Sequence, residues 1–476
     1  MERKSIASNY SYNLIYQIIH SLIPLATTPY LTRVLGAENL GIYSYIYSIV
    51  TIFFLLSALG INTYGQREIA YVQDDKEKRS KVFWELIAIR AISTLLSTGL
   101  LILLSLIVNE HKIYFYIFAI YVVANMFDIT WFYQGIENFK AITVRNIFVK
   151  IIYLITVFSF VRSKSDLWIY IFLFSVMTLT TNLSFWMGLK RRLIKPEKLD
   201  IKKHTKPAIM FFLPQIASLI YTVLDKTMLG IICPDIREVS YYEQASYLVK
   251  TVLMLVTTIS TVMVSKVSYA FQNNNQKEIK GYLKGVTNFV WIAGSAVTFG
   301  LMAVVGNFVP WFYAKEYISM INIVYVMGPI IIIIGLNNVI GIQFLVPTQN
   351  QDKYILAVIM GAITNFILNL LLIKPLGAIG ATIASVIAEF TILVIELFFL
   401  KRIISDYNIM GESLKYILYG IIMFLTTKAS GRVFGTTFYG TIFQVLIGVM
   451  TYGLLLILTR DQYVMQYLYK FRRIDR

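Results

Sequence analysis

Long, nearly unbroken apolar blocks alternate with short polar ones along the whole chain. A helix needs about 20 apolar residues to cross the hydrocarbon core of a bilayer. Fourteen blocks reach or approach that length: 12–35, 41–60, 83–108, 113–133, 142–161, 167–188, 208–232, 241–265, 286–306, 320–345, 354–373, 378–400, 413–430 and 438–459. The pattern predicts an all-α polytopic membrane protein of about fourteen transmembrane helices. The 413–430 block is the weakest, with Lys415 and Lys428 near its ends. Residues 1–11 are polar and no A-x-A-like site follows, so the first block is expected to persist as a helix, not as a cleaved leader.

Basic residues set the expected orientation. The even-numbered loops and both terminal segments hold 28 of the 43 Lys and Arg residues. Segment 189–207 alone carries Lys190, Arg191, Arg192, Lys195, Lys198, Lys202, Lys203 and Lys206. Loops rich in Lys and Arg stay in the cytoplasm, which puts both termini there. The loops left outside are short, the longest near Asn307–Ser319. That leaves no room for the large outer loop through which a membrane polymerase or glycosyltransferase works. No G-x-x-x-x-G-K-[ST] phosphate loop occurs, so no ATPase is expected.

Composition narrows the class further. Of 476 residues, 57% are apolar and 14% charged, far from the roughly 25% charged residues of soluble domains. The net charge of +17 suits cytoplasmic loops facing anionic lipid and is no sign of a nucleic-acid partner. Cys233 is the single cysteine, so no intrachain disulfide is possible, and His20, His111 and His204 lie far apart. Without zinc-type spacing or a thiol centre, neither a metal site nor a catalytic residue is expected, and the chain reads as a non-enzyme.

Segment 189–207 divides the first twelve blocks into two sets of six. The expected organisation is an N-terminal six-helix lobe (1–188), a basic cytoplasmic linker (189–207), a C-terminal six-helix lobe (208–400), and two extra helices with a basic tail (401–476). The halves share weak internal similarity. Block 1 holds Pro24 and Pro29 and block 7 holds Pro214, while Tyr47 and Thr51 match Tyr247 and Thr251 at an offset of 200. Such repeats are common in transporters, and prolines inside leading helices supply bends. The expectation is alternating access about a central cavity.

Ionisable residues inside membrane blocks are expensive and point to function. Lys250 lies nine residues beyond Tyr241, about 14 Å along a helix, near the bilayer midplane. Arg33, Arg90, Lys226 and Lys250 are the candidate ligands for an anionic head group, because Lys binds phosphate as a point charge and Arg through its fork. Asp128, Lys150, Asp225 and Glu389 are candidates for H⁺ or Na⁺ coupling or for internal ion pairs. Arg145 and Glu396 fall close enough to the cytoplasmic edge to read as interface residues. The aromatic content allows sugar-stacking faces, but Tyr and Trp also form interface belts.

Four segments carry a resemblance. Thr32-Arg33-Val34-Leu35-Gly36-Ala37-Glu38-Asn39-Leu40-Gly41-Ile42-Tyr43, Gln66-Arg67-Glu68-Ile69-Ala70, Trp131-Phe132-Tyr133-Gln134-Gly135-Ile136-Glu137-Asn138-Phe139-Lys140, and Asn365-Phe366-Ile367-Leu368-Asn369 with Gly377-Ala378-Ile379-Gly380-Ala381-Thr382 occur in order across roughly residues 10–400. Together they resemble Wzx-type polysaccharide repeat-unit flippases of the multidrug/oligosaccharidyl-lipid/polysaccharide exporter superfamily. The resemblance implies a V-shaped pair of six-helix lobes around a cationic cavity. It implies translocation of an undecaprenyl-pyrophosphate-linked oligosaccharide to the outer leaflet for capsule, O-antigen or exopolysaccharide synthesis. The partners implied are that lipid, the surrounding membrane lipids, a polysaccharide polymerase and a chain-length regulator. Basic residues of the first, second and eighth helices contact the diphosphate in related exporters. Arg33 and Lys250 occupy comparable places, whereas the second-helix position matching Lys250 is Val50. Alternatives are a cation-coupled drug or metabolite antiporter of the same superfamily, which would favour cavity acids, and a lipid II flippase.

Overall fold

The computed structural model describes residues 23–108, 110–189, 192–196, 198–258, 260–404, 409, 411 and 413–465. The start of the first apolar block, His20, Lys190, Arg191 and the basic tail beyond 465 lie outside the described residues. Among the described residues all regular structure is helical. Among the described residues, ten helices are long and apolar enough to cross a membrane. Their outer faces are unmistakably lipid-facing: Leu95 and Leu96 are each 65% exposed, a display of apolar surface that water does not tolerate.

The difference between ten helices and fourteen apolar blocks has local causes. Blocks 354–373 and 378–400 form one run, Gln351–Ile403, bent at Gly377 (φ 56°, ψ −134°). Helix Arg237–Thr257 carries too many polar residues to count as a span by composition, and Lys202–Ile232 is not among the ten. The 12–35 block is described only from residue 23.

The chain forms two compact units, residues 1–230 and 231–476. In the first, α1 (residues 23–34) turns at Gly36 (φ 77°) into α2 (Gly36–Ala58). Then follow α3 (Ile61–Tyr71), α4 (Lys76–Val108), α5 (Lys112–Ala124), the short α6 (Thr130–Gly135), α7 (Phe139–Phe160), α8 (Leu167–Ser184) and most of α9 (Lys202–Ile232). The unit boundary falls inside α9, which packs along α2 and α3. Gly60 (φ 74°) joins α2 to α3, and a Cβ there would strike the Ala208 carbonyl of α9, so only glycine combines that backbone with that approach. Further along, the Ser48 and Thr227 hydroxyls lie 2.8 Å apart.

The start of α9 is pinned by a buried polar cluster. The Glu85 carboxylate accepts hydrogen bonds from the Asp200 N–H (2.8 Å) and the Lys203 ammonium (3.0 Å) and lies 3.0 Å from His204 Nε2. His204 Nδ1 lies 2.7 Å from the Tyr64 hydroxyl of α3. Buried polar groups persist only when partnered in this way.

Two segments that carry the family resemblance build this unit's core. Trp131, Phe132, Tyr133 and Ile136 pack with Ile61, Tyr64, Ile69, Phe83 and Phe185. The α3 backbone at Gly65 touches the Trp131 ring, and Gly135 rests on Ile69.

The second unit comprises α10 (Arg237–Thr257), α11 (Ser260–Gln272), α12 (Gln276–Phe312), α13 (Met320–Met327), α14 (Ile330–Asn337), a π-helical segment Asn338–Leu345, α15 (Gln351–Ile403), α16 (Ser413–Phe434) and α17 (Phe438–Leu458). Pro329 breaks the 320–345 block, as a residue without an N–H must. At the α15 bend the Ala378 N–H donates to the Glu238 carboxylate (2.9 Å), which caps the second half of the helix.

One local feature repeats between the units. Thr51 Oγ1 donates to the Tyr47 carbonyl (2.6 Å) and Thr251 Oγ1 to the Tyr247 carbonyl (2.8 Å). Positions matched at an offset of 200 thus share the same back-bonded helix turn. Their neighbours differ: Val50 is fully buried and Lys250 is exposed.

Candidate functional site

The intramembrane charges divide into sealed and accessible groups. Arg90 is sealed. α5 ends in a 3₁₀ turn, Asn125–Phe127, and Asp128 is extended before α6 begins. That break frees the Asp128 carbonyl, which accepts from Arg90 Nη1 (2.6 Å) and from the Trp131 indole N–H (3.1 Å). Arg90 Nη2 donates to Asn62 Oδ1 (2.7 Å) and Asn125 Oδ1 (2.9 Å) and lies 3.5 Å from Asp128 Oδ2. The Asn125 amide donates to the Phe54 carbonyl and to Ser57 Oγ. Asp128 Oδ1 is held by Thr130 N–H and Oγ1. Arg90 has no surface on solvent. Of the eight residues singled out in the sequence, the structure brings Arg90 and Asp128 together.

Arg33 stands at the end of α1, two residues before the Leu35–Gly36 corner. It is exposed, and its Nη1 donates to the Pro29 carbonyl (2.6 Å). The corner is fixed by the Asn39 amide, which donates to the Leu35 and Lys164 carbonyls. Asp225 is buried and Lys226 half-buried, on the face of α9 next to Thr227. The ring of Tyr45 packs onto Gly230 one turn later. Lys150 is half-buried on α7, one turn before Tyr153.

The first unit also holds a feature that the aromatic content alone left unresolved. Tyr43 and Tyr47 stack at 5.6 Å, one turn apart on α2. Tyr170 stands 4.9 Å from Tyr43, Phe174 5.6 Å from Tyr47, and Tyr121 5.1 Å from Phe174. Tyr43, Tyr47 and Tyr153 keep partly exposed faces. A set of phenol rings with hydroxyl tips offers both stacking and hydrogen bonding. The i, i+4 spacing of Tyr43 and Tyr47 was the signal that could have found it.

In the second unit Lys250 is exposed on α10 and forms no ion pair or hydrogen bond among the described residues. Glu389 is buried, with Oε2 accepting from the Asn337 amide (2.8 Å). Glu396, read from the sequence as an interface residue, is fully buried instead. Counting residues to the helix end misled, because the π segment covers that end of α15. No group of three or more His, Cys, Asp or Glu side chains capable of holding a metal occurs among the described residues.

The family "Polysaccharide biosynthesis protein" matches residues 6–264. A protein of Escherichia coli (strain K12) named "Putative O-antigen transporter" is 25% identical over 415 residues, covering 84% of this chain and 97% of its own. A protein of the same name from Shigella dysenteriae is 23% identical over 389 residues, covering 80% and 96%. Among solved structures, lipid II flippase MurJ in an inward closed conformation superposes with a TM-score of 0.73 at 19% identity, covering 94% of this chain and 99% of its own. An inward-facing MATE family transporter of the MOP superfamily gives a TM-score of 0.59 at 13% identity, covering 83% and 94%. At these identities the two structures speak for the fold alone.

Proposed function

Because the chain belongs to the polysaccharide biosynthesis protein family, we propose that it is the flippase for an undecaprenyl-pyrophosphate-linked oligosaccharide repeat unit. It is a multi-pass protein of the bacterial cytoplasmic membrane, and its relatives carry the name of O-antigen transporters. The cargo would be the product of a cytoplasmic glycan assembly line, moved to the outer leaflet where a polysaccharide polymerase consumes it and a chain-length regulator limits the product. No covalent chemistry is required.

The observation that carries the reading is Lys250: a cation on α10, within the apolar block 241–265, exposed and unpaired among the described residues. A charge held there costs several kcal/mol unless it meets water or an anion. The attraction to a diphosphate grows as the local dielectric falls. Arg33 and Lys226 are the further head-group ligands in this reading. The partly exposed rings of Tyr43, Tyr47 and Tyr153 supply faces for sugars. Arg90 with Asp128 belongs to the frame that holds α4 to α6. Lys150, Asp225 and Glu389 are left as coupling groups for H⁺ or Na⁺. The two six-helix halves, 1–188 and 208–400, would alternate access while the polyprenyl tail stays in lipid.

The test is depletion of the protein in its own cell, followed by labelling of spheroplasts with a membrane-impermeant sugar oxidant. Complete lipid-linked units should accumulate out of the label's reach. If complete units still meet the label, the flippase reading fails and a polymerase or antiporter takes its place. Growth arrest in cells lacking any capsule or O-antigen pathway would instead point to lipid II as cargo.

A further inference from the structure

The second unit contains a carboxyl group that the transport reading does not use. Glu396 is fully buried, and both of its carboxyl oxygens lack any hydrogen-bond partner among the described residues. Its surroundings are built to be that way. Seven residues earlier on the same face of α15, Glu389 already accepts from Asn337. Across from Glu396 the chain is π-helical, Asn338–Leu345, a geometry concentrated at functional sites. Gly341 of that segment lies directly against Glu396 Oε1 and the Tyr354 ring; a Cβ at Gly341 would overlap both.

The charged groups around it offer no compensation. α13, α14 and the π segment contain no charged residue between Met320 and Leu345. On the first half of α15, Tyr354 faces it, while the neighbouring Lys353 ammonium donates to Asn350 Oδ1 (2.5 Å) and lies 5.9 Å from the Phe399 ring centroid. α10 carries Glu238, which caps Ala378, then Glu243, and Lys250, which is exposed. Lys266 of α11 faces the Tyr282 ring. Glu396 therefore meets Glu389, an acid, and Tyr354, a weak acid, with no cation in contact among the described residues.

We infer that Glu396 is a proton-binding site: its carboxyl carries a proton while the π segment is closed over it, and releases that proton to entering water when the segment opens. An ionised carboxylate without donors or a counter-ion in a dry interior costs several kcal/mol. The neutral acid avoids the cost of the charge and leaves only an unpaired hydroxyl and carbonyl, about 1–3 kcal/mol. A sodium ion is a poorer occupant, since it needs a shell of several oxygens and Glu396 brings only its own two. Loss of the proton leaves a charge that must recruit water, and the π turn over it can yield, because its i→i+5 bonds can shift to an α pattern. The site thereby links one proton to the shape of the Asn338–Leu345 segment, whatever cargo the protein carries.

Infrared spectroscopy of the full chain in lipid nanodiscs tests this. At neutral pH, carbon-13 labelling of glutamate should shift a protonated-carboxyl band at the high-frequency end of the range, where acids without hydrogen bonds absorb. Glu396→Gln should abolish that band and Glu389→Gln should keep it. No glutamate band of this kind in the labelled wild type overturns the proposal without recourse to any variant. A band that survives Glu396→Gln also overturns it, and a band that disappears on adding Na⁺ at constant pH would replace the proton with a metal ion.

Discussion

Arg90 Nη1 donates to the main-chain carbonyl of Asp128 at 2.6 Å, while Nη2 lies 3.5 Å from the same residue's carboxylate. One residue thus offers both a dipole and a charge to a guanidinium with no route to solvent. Removing one partner of such a pair leaves the other buried and uncompensated, which costs about 3–5 kcal/mol. Arg90→Ala should therefore depress the apparent melting temperature of the purified protein and its amount in the membrane, more than Asp128→Asn does, because the Asp128 carbonyl survives the second change. An Arg90→Ala protein that melts like wild type and loses only head-group affinity would return Arg90 to the cargo site.

Lys250 calls for the opposite outcome. It is exposed and makes no ion pair among the described residues, so Lys250→Ala should leave folding intact. Translocation, measured by the leaflet label, should fall by at least about tenfold, the equivalent of one lost charge-assisted contact of about 1.5–3 kcal/mol. Lys250→Arg should retain most of the rate, since a phosphate accepts either cation. Equal rates for Ala and wild type would remove Lys250 from the pathway.

Much of the architecture was legible because membrane helices must hide their backbone polar groups and show apolar side chains. The helices follow the apolar blocks, but the breaks at Pro329 and Gly377 fall elsewhere than at Pro24, Pro29 and Pro214, the prolines that the pattern singles out. The site was less legible, for a physical reason: depth was judged by counting along a helix, whereas burial depends on what covers it. Arg90 lies about two turns inside its block, yet Asn62, Asn125 and Asp128 from other segments enclose it. Glu396 lies near a helix end, yet a π segment about fifty residues earlier roofs it over. Neither cover has a sequence pattern of its own. The tyrosines of α2 were visible, but their stacking on Tyr170 and Phe174 depends on α8 being adjacent.

The last helical pair is locked at one end by Asp461. Its carboxylate accepts from the Lys415 ammonium (2.6 Å), the Tyr416 hydroxyl (2.9 Å) and the N–H groups of Tyr463 and Val464 (3.1 and 3.2 Å). Burial pushes this acid upward, but the hydrogen bonds from Lys415, Val464 and Tyr416 outweigh it and hold it below the usual aspartate range. A folded-state value below the unfolded one means that the stabilisation is fully present above the unfolded value and is lost as pH falls through the folded one. The wild-type apparent melting temperature should therefore drop on acidification below about pH 4. Asp461→Asn should start lower at neutral pH and change little over the same range. Parallel curves for the two proteins would show that this lock is not responsible for the acid sensitivity.

The interlock of α3 with α6 gives a test of what the family-like segments do. A Cβ on Gly65 would lie 2.6 Å from Trp131 Cε3 and 2.9 Å from Cδ2, inside van der Waals contact with a ring that is itself fully buried. Trp131 has no space to withdraw: Phe83 is stacked on it at 5.6 Å and its indole N–H is committed to the Asp128 carbonyl. Overpacking of this kind costs about 1–3 kcal/mol, and here it also pulls on the Arg90 frame through Asp128. Gly65→Ala should thus reduce the folded amount in the membrane, while Gly99→Ala, whose Cβ would meet nothing within 4 Å, should not. The folded remainder of Gly65→Ala should translocate at the wild-type rate per molecule, because the segment that most resembles the family is scaffold. A Gly65→Ala protein that accumulates normally but fails to translocate would make that segment part of the transport path.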